Sequence, residues 1–247
     1  MQVTKYNASG NDFVIFHTFL KNERNELAKK LCHRQKGVGA DGLIVLMPHE
    51  GYDFEWQFYN TDGSDAEMCG NGSRAAAHYA YANGLAGKEM RFLTTAGVIE
   101  ATVEDNQAEV KLTEPKIIDK LFVAEGLKWS FYDTGVPHLV TFVDDLNIYN
   151  KEMAREMRNN YNANVNFAKI DPETKELHVR TYERGVEDET LACGTGMAAC
   201  FFGANLNGDV PDTTKVYPTS KEELTLSIKE GYIYFKGEVE KVFTTDI

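Results

Sequence analysis

Met68-Cys69-Gly70-Asn71-Gly72 and Ala192-Cys193-Gly194-Thr195-Gly196 each set a cysteine before a Gly-x-Gly turn, and an alanine-rich, helix-like stretch follows each. The two cysteines lie 124 positions apart, about half the chain. At the same offset Ala75 matches Ala199, Ala80 matches Ala204, Asn83 matches Asn207 and Gly84 matches Gly208. Upstream, the aromatic strand ending in Phe58-Tyr59-Asn60 matches the one ending in Tyr182-Glu183-Arg184. Nearer the start, Gly10-Asn11-Asp12-Phe13-Val14 resembles Gly135-Val136-Pro137-His138-Leu139, with the offset slipped by one. A period this long belongs to a duplicated domain rather than to a solenoid or propeller array.

Working outward, each half has several strands and one mostly apolar helix. Ala75-Ala76-Ala77 and Ala198-Ala199-Cys200-Phe201-Phe202 show no polar face, so both helices are expected at the centre of their half. The expected fold is therefore α+β: two pseudo-symmetric domains, each a curved, mostly antiparallel sheet or barrel wrapped round a central helix. The domains are expected at residues 1–114, joined by a tail at about 238–247, and at residues 115–237. In the first half, strands are expected at 12–17, 43–47 and 53–59, and a helix at 22–33. Leu27/Leu31 and Ala28/Cys32 recur there at helical spacing. The cysteine motifs lead into helices at about 72–82 and 197–206, and Asn83-Gly84 is a good stop for the first. The second half repeats the order with strands at 138–143, 164–170 and 177–182 and a helix at 152–160. Cys32 and Cys200 fall on apolar faces and are expected in the core.

Composition sets the class. The chain has 247 residues, 43% hydrophobic and 26% charged, as in ordinary globular proteins. Its net charge is −12 and no basic run is visible, which argues against nucleic acid and anionic membrane surfaces as partners. No apolar stretch approaches the ~20 residues of a membrane span, and Met1-Gln2-Val3-Thr4-Lys5-Tyr6 has no signal-peptide core. Four cysteines are too few for a disulfide scaffold in a chain this long. No Cys-x-x-Cys or clustered histidines mark a zinc site. A reduced, cytoplasmic protein without a metal is the expectation.

A cysteine at a helix start has particular chemistry. The first backbone N–H groups have no intrahelical acceptor and carry partial positive charge. Such a turn can bind a carboxylate. The same field favours thiolate over thiol, moving a cysteine from ~8.5 toward the ~3.5–7.5 range. Two such turns facing one substrate would place an α-carbon between two sulfurs. One thiolate could take the α-proton while the other thiol delivers one to the opposite face, inverting the carbon without pyridoxal phosphate. Other readings stay open on the residues alone. The loops could be structural turns with inert thiols, or phosphate cradles, although the Lys and Ser/Thr of such cradles are missing. A soft metal could bind both thiols, with His138 as the one further ligand in view.

At these residues the chain resembles the diaminopimelate epimerase family. The resemblance runs through Ser9-Gly10-Asn11-Asp12-Phe13-Val14, Gly37-Val38-Gly39-Ala40-Asp41-Gly42, Asn60-Thr61-Asp62-Gly63-Ser64 and the first cysteine motif. It continues through Asn164-Val165-Asn166-Phe167, Tyr182-Glu183-Arg184-Gly185 and Glu189-Thr190-Leu191-Ala192-Cys193-Gly194-Thr195-Gly196. It implies that Cys69 and Cys193 are acid/base thiols, and that Gly70, Asn71, Gly194 and Thr195 offer backbone N–H groups to the reacting carboxylate. Asn11, Asn60, Asn164, Glu183 and Arg184 would hold the amino groups and distal carboxylate of diaminopimelate. His138 and Glu183 would position or tune the thiols. No cofactor is implied, and homodimerisation rests on the resemblance alone.

Two positions depart from the family pattern: Val136 stands where many members have asparagine, and Gly42 where some have glutamine. The halves also differ from each other, Asn60 standing against Arg184, Tyr59 against Glu183 and Asn11 against Val136. Two rival functions remain on the residues alone, another cofactor-independent amino-acid racemase of the proline-racemase kind and a non-catalytic thiol-based binding or redox-sensing protein.

Overall fold

Ser9 and Gly10 both take left-handed backbone, with φ of 62° and 79°. Two such residues make the tight turn whose twist suits paired strands, and Ala8 pairs with Asn11 across it. This hairpin opens the first of two units. The computed structural model describes residues 1–66 and 68–247. They divide into Met1–Lys111 with Lys236–Ile247, and Leu112–Phe235.

In the first unit β1 (Gln2–Ala8) pairs antiparallel with β2 (Asn11–His17). Helix α1 (Asn25–Cys32) carries the chain to β3 (Gly42–Met47), parallel to β2. β4 (Phe54–Asn60) returns antiparallel to β3. Helix α2 (Gly70–Ala82) then crosses to β5 (Glu89–Thr94), parallel to β4. β6 (Gly97–Glu104) and β7 (Gln107–Lys111) close the run as antiparallel hairpins. The chain's last strand, Glu240–Asp246, pairs antiparallel with β1 from its other side.

The second unit repeats this order. β8 (Lys116–Ala124) pairs antiparallel with β9 (Leu127–Asp133), and β9 with β10 (Pro137–Phe142). Helix α3 (Lys151–Tyr161) leads to β11 (Asn164–Ile170), parallel to β10. β12 (Leu177–Glu183) is antiparallel to β11 and carries a short extra strand, β13 (Asp188–Thr190). Helix α4 (Gly194–Leu206) crosses to β14 (Thr213–Tyr217), parallel to β12, and β15 (Leu224–Lys229) pairs with β14. β16 (Tyr232–Glu238) and β17 (Glu240–Asp246) end the chain. The expected α+β architecture is therefore present in both units. Strand β17 does for the first unit what β8 does for the second.

Both central helices are buried almost all round. Ala75, Ala76, Ala77 and Ala80 have no exposure in α2, nor do Met197, Ala198, Ala199, Cys200 and Phe201 in α4. Helix α2 lies against β1, β2, β3, β6 and β7, and α4 against β9, β10, β11, β12 and β14. Small side chains let strands close on a helix from every side. The outer helices are amphipathic: α1 sets Ala28, Leu31 and Cys32 on Val14, Leu43 and Val45, and α3 sets Ala154 and Met157 on Leu139, Val165 and Phe167. Each such large side chain contributes about 1.5–3 kcal/mol by leaving water.

Two local expectations need correction. Helix α1 starts at Asn25 rather than at residue 22. The Arg24 guanidinium bonds back to the carbonyls of Leu20 and Asn22, holding that segment as a loop. Strand register also shifts the match between the halves by one residue. Tyr59 sits opposite Leu43, and Tyr182 opposite Val165. Tyr59 thus corresponds to Tyr182 and Asn60 to Glu183, because the loop before Cys193 is one residue longer than the loop before Cys69.

Candidate active site

Both motif cysteines occupy the residue just before a helix. Cys69 and Cys193 have extended backbone, with φ of −147° and −115°, and α2 and α4 begin at the next residue. The Gly-x-Gly segments are therefore the first helical turn itself, not a turn ahead of it. The backbone N–H groups of Gly70, Asn71, Gly194 and Thr195 come at the positions that precede any intrahelical acceptor. Gly72 N donates to Cys69 Sγ at 3.3 Å. Ser73 N and Met197 N close the first intrahelical bonds, to the Cys69 and Cys193 carbonyls.

In the first unit, Asn11 reaches Cys69. Its Nδ2 donates to Asp41 Oδ2 at 2.8 Å, which turns Oδ1 toward Cys69 Sγ at 3.5 Å. Arg34 grips both Asp12 and Asp41, at 3.0 and 2.6 Å, and Lys5 lies 2.6 Å from Asp12. Burial pushes the Asp12 carboxyl up, but Arg34 and Lys5 outweigh it and hold it down at about 2. Asn71 Oδ1 accepts from the buried Arg74, whose guanidinium also reaches Ser9 Oγ and the Glu238 carbonyl. The Asn60 amide bonds Ser64 Oγ at 3.0 Å, within its own loop. Gly42 opposes Asn60, and a Cβ there would stand 2.6 Å from the Phe58 ring. No glutamine fits at Gly42 while Phe58 keeps its place.

The second unit assembles more of its expected set. His138 Nε2 is 2.9 Å from Thr195 Oγ1, and that hydroxyl is 3.6 Å from Cys193 Sγ. Thr134 Oγ1 pins the Thr195 carbonyl at 2.8 Å. Asn164 accepts from Arg184 N at 2.8 Å and points Nδ2 at the Pro137 carbonyl, with His138 Nε2 at 3.5 Å. Arg184 Nη1 donates to the Asn162 carbonyl at 3.0 Å. Glu183, at the end of β12, accepts from Thr190 Oγ1 at 2.8 Å. Burial, and then the Arg184 charge, push the His138 imidazole down to about 3, so it stays neutral near neutral pH.

Asp41, Thr134, Asn166 and Thr181 escaped the sequence reading as parts of this machinery. Asp41 and Asn166 lie inside quoted motifs, but only strand pairing shows what they hold. Cys32 and Cys200 are buried as expected, and burial alone or above all raises both thiols, Cys32 to about 12. His78 faces the Tyr6 hydroxyl at 3.2 Å. Among the described residues no three His, Cys, Asp or Glu side chains come together to hold a metal ion, and no helix is long and apolar enough to cross a membrane.

A model of the diaminopimelate epimerase family matches residues 3–118 and 130–242. The chain belongs to the diaminopimelate epimerase family. It is 63% identical to a diaminopimelate epimerase of a Nitratiruptor species, across 99% of this chain and 98% of that one. To a diaminopimelate epimerase of Campylobacter lari it is 53% identical, across 100% and 98%. Its fold resembles the crystal structure of a probable proline racemase from Agrobacterium radiobacter K84, with a TM-score of 0.76 at 14% identity, covering 100% of this chain and 92% of that one. As a diaminopimelate epimerase family member the chain is an isomerase.

Proposed function

We propose that Cys69 and Cys193 act as an acid–base pair that converts LL-2,6-diaminopimelate to meso-diaminopimelate without a cofactor, in cytoplasmic synthesis of lysine and peptidoglycan precursors. The observation that carries this is the pair of thiols, each set just before the first turn of a central helix in a duplicated fold. One thiolate removes the α-proton, and the other thiol gives a proton to the opposite face of the carbon. The thiolate becomes a thiol and the thiol a thiolate, so the enzyme leaves one turnover set for the reverse reaction. Negative charge that develops on the substrate carboxylate is met by the backbone N–H groups of Gly70, Asn71, Gly194 and Thr195.

Asn11, Asn60, Asn164, Glu183 and Arg184 hold the amino groups and the distal carboxylate. A guanidinium has five N–H donors, and the Asn162 carbonyl takes one from Arg184. The others suit bidentate contact with a carboxylate. A one-ended amino acid leaves Arg184 and Glu183 with little to bind. Initial rates on LL-diaminopimelate, L-proline and L-lysine test the substrate. Turnover of diaminopimelate alone is expected. A faster rate on proline would move the enzyme to a proline-racemase specificity, and no exchange on any of them would end the catalytic reading.

A further inference from the structure

The floor beneath Cys193 holds a polar set that nothing in the fold demands. Asn166 has no exposure and Thr181 is buried beside it. Register places Asn166 opposite Thr181, as Ile44 is placed opposite Phe58 in the first unit. The same topology thus closes over aliphatic and aromatic side chains in one unit and over an amide and a hydroxyl in the other. Burying polar groups is unfavourable unless each finds a partner. Here each does: Asn166 Nδ2 donates to the Leu139 carbonyl at 2.8 Å and faces His138 Nδ1 at 3.1 Å, while Asn166 Oδ1 accepts from Thr181 Oγ1 at 2.9 Å.

We propose that Asn166, braced by Thr181, is a positioning residue that fixes which ring nitrogen of His138 carries the proton, and so fixes the direction of hydrogen bonding at Cys193. A carbonyl only accepts, so Leu139 forces the amide nitrogen, not its oxygen, toward the ring. His138 Nδ1 then faces a donor and must offer its lone pair. A neutral imidazole has one N–H, which falls on Nε2 and donates to Thr195 Oγ1. The Thr195 hydroxyl hydrogen is thereby left free to point to Cys193 Sγ, 3.6 Å away, where it favours thiolate. The opposite tautomer would draw that hydrogen to Nε2 and leave Thr195 as an acceptor for an S–H. Asn164 Nδ2 also approaches Nε2, but at 3.5 Å, against 3.1 Å for Asn166 Nδ2 on Nδ1. The shorter amide contact, on Nδ1, decides.

The effect on turnover rests on the acid–base reading of Cys193; the tautomer does not. The test is 15N-edited NMR of the full chain labelled at histidine, with the His138 signals assigned by their loss in His138→Gln. At neutral pH the wild type is expected to show a bare Nδ1 and a protonated Nε2. Asn166→Leu is expected to shift protonation toward Nδ1 and to lower kcat about 10- to 100-fold, with KM within about threefold. Thr181→Val is expected to move both readouts in the same direction by less, and it serves if Asn166→Leu does not fold. A wild-type His138 protonated on Nδ1 would overturn the proposal. So would an Asn166→Leu chain with the wild-type tautomer, or with a shifted tautomer and unchanged kcat. Wild-type epimerisation by Cys193→Ala would instead remove the acid–base reading and leave the tautomer result standing.

Discussion

Beneath Gly72, at the start of α2, lie Ile44 and Phe13, with Phe58 edge-on to Phe13. Beneath Gly196, at the start of α4, lie Asn166 and Thr181, with His138 bonded to Asn166. The backbone topology is the same and the helix starts share one cysteine pattern, yet one floor is apolar and the other is a hydrogen-bonded network. The thiols above them differ in kind. Cys69 has the Asn11 carbonyl oxygen, whose orientation Asp41 sets, beside it, and also takes the Gly72 N–H. Cys193 faces the Thr195 hydroxyl, which His138 also bonds. The two helix starts are alike and their surroundings are not, and that inequality suits a reaction that needs one acid and one base at a time.

The largest way to break the comparison is to give the second floor the residue of the first. His138→Phe places there the side chain that Phe13 supplies at the matching register position. It leaves Asn166 and Thr195 without their ring partner. Turnover is expected to fall about 100-fold, as measured by steady-state kinetics on LL-diaminopimelate. A variant with near wild-type turnover would mean that the polar floor does no chemistry.

A smaller effect separates the two third-position glycines of the helix starts. A Cβ at Gly196 would run into Asn166 Oδ1 and come within 3.1 Å of Thr181 Oγ1. A Cβ at Gly72 would meet Ile44 at 3.3 Å and Phe13 and Cys69 Cβ at 3.4 Å, a milder approach than that at Gly196. Overpacking costs about 1–3 kcal/mol, against the roughly 1 kcal/mol that alanine gains over glycine in a helix. Gly196→Ala is expected to lose about 1–2 kcal/mol in urea unfolding and to slow turnover, while Gly72→Ala stays within about 1 kcal/mol of wild type. Equal losses would erase the difference between the floors.

A further difference shows in pH dependence. His138 is held neutral down to about 3, by burial first and by Arg184 second, whereas an unfolded histidine titrates near ~6.5. Between these values the unfolded chain binds a proton that the folded chain does not. Stability from this site is therefore full above about 6.5 and falls as pH drops toward 3, by about 1.4 kcal/mol per pH unit. The wild type should lose stability faster than His138→Gln between pH 6 and 4, the carboxylates being common to both. Parallel curves would contradict the buried neutral imidazole.

Much of this architecture was legible in the chain. The spacing of Cys69 and Cys193 carried over to the helices, Gly70–Ala82 and Gly194–Leu206, because a cysteine before Gly-x-Gly marks a helix start by local chemistry. The alanine runs marked central helices because they show no polar face to turn toward water. What stayed hidden depends on partners distant in sequence. Asn166 meets His138 through the parallel pairing of β10 with β11, and Thr181 through β12. Asp41 meets Asn11 across 30 positions. The one-residue slip between the halves was invisible because the extra residue lies in a loop, where no periodicity records it. Arg24 delayed α1 by side-chain bonds that no propensity describes.

The central claim is that two unequal thiols work as one pair, and the most direct measurement is α-deuterium incorporation from D2O during incubation with LL-diaminopimelate. The wild type should yield meso product labelled at the inverted carbon, without added cofactor. Cys69→Ala and Cys193→Ala should each lower epimerisation by roughly a thousandfold or more, and the double variant should show none. A double variant that still forms labelled meso product would contradict the account.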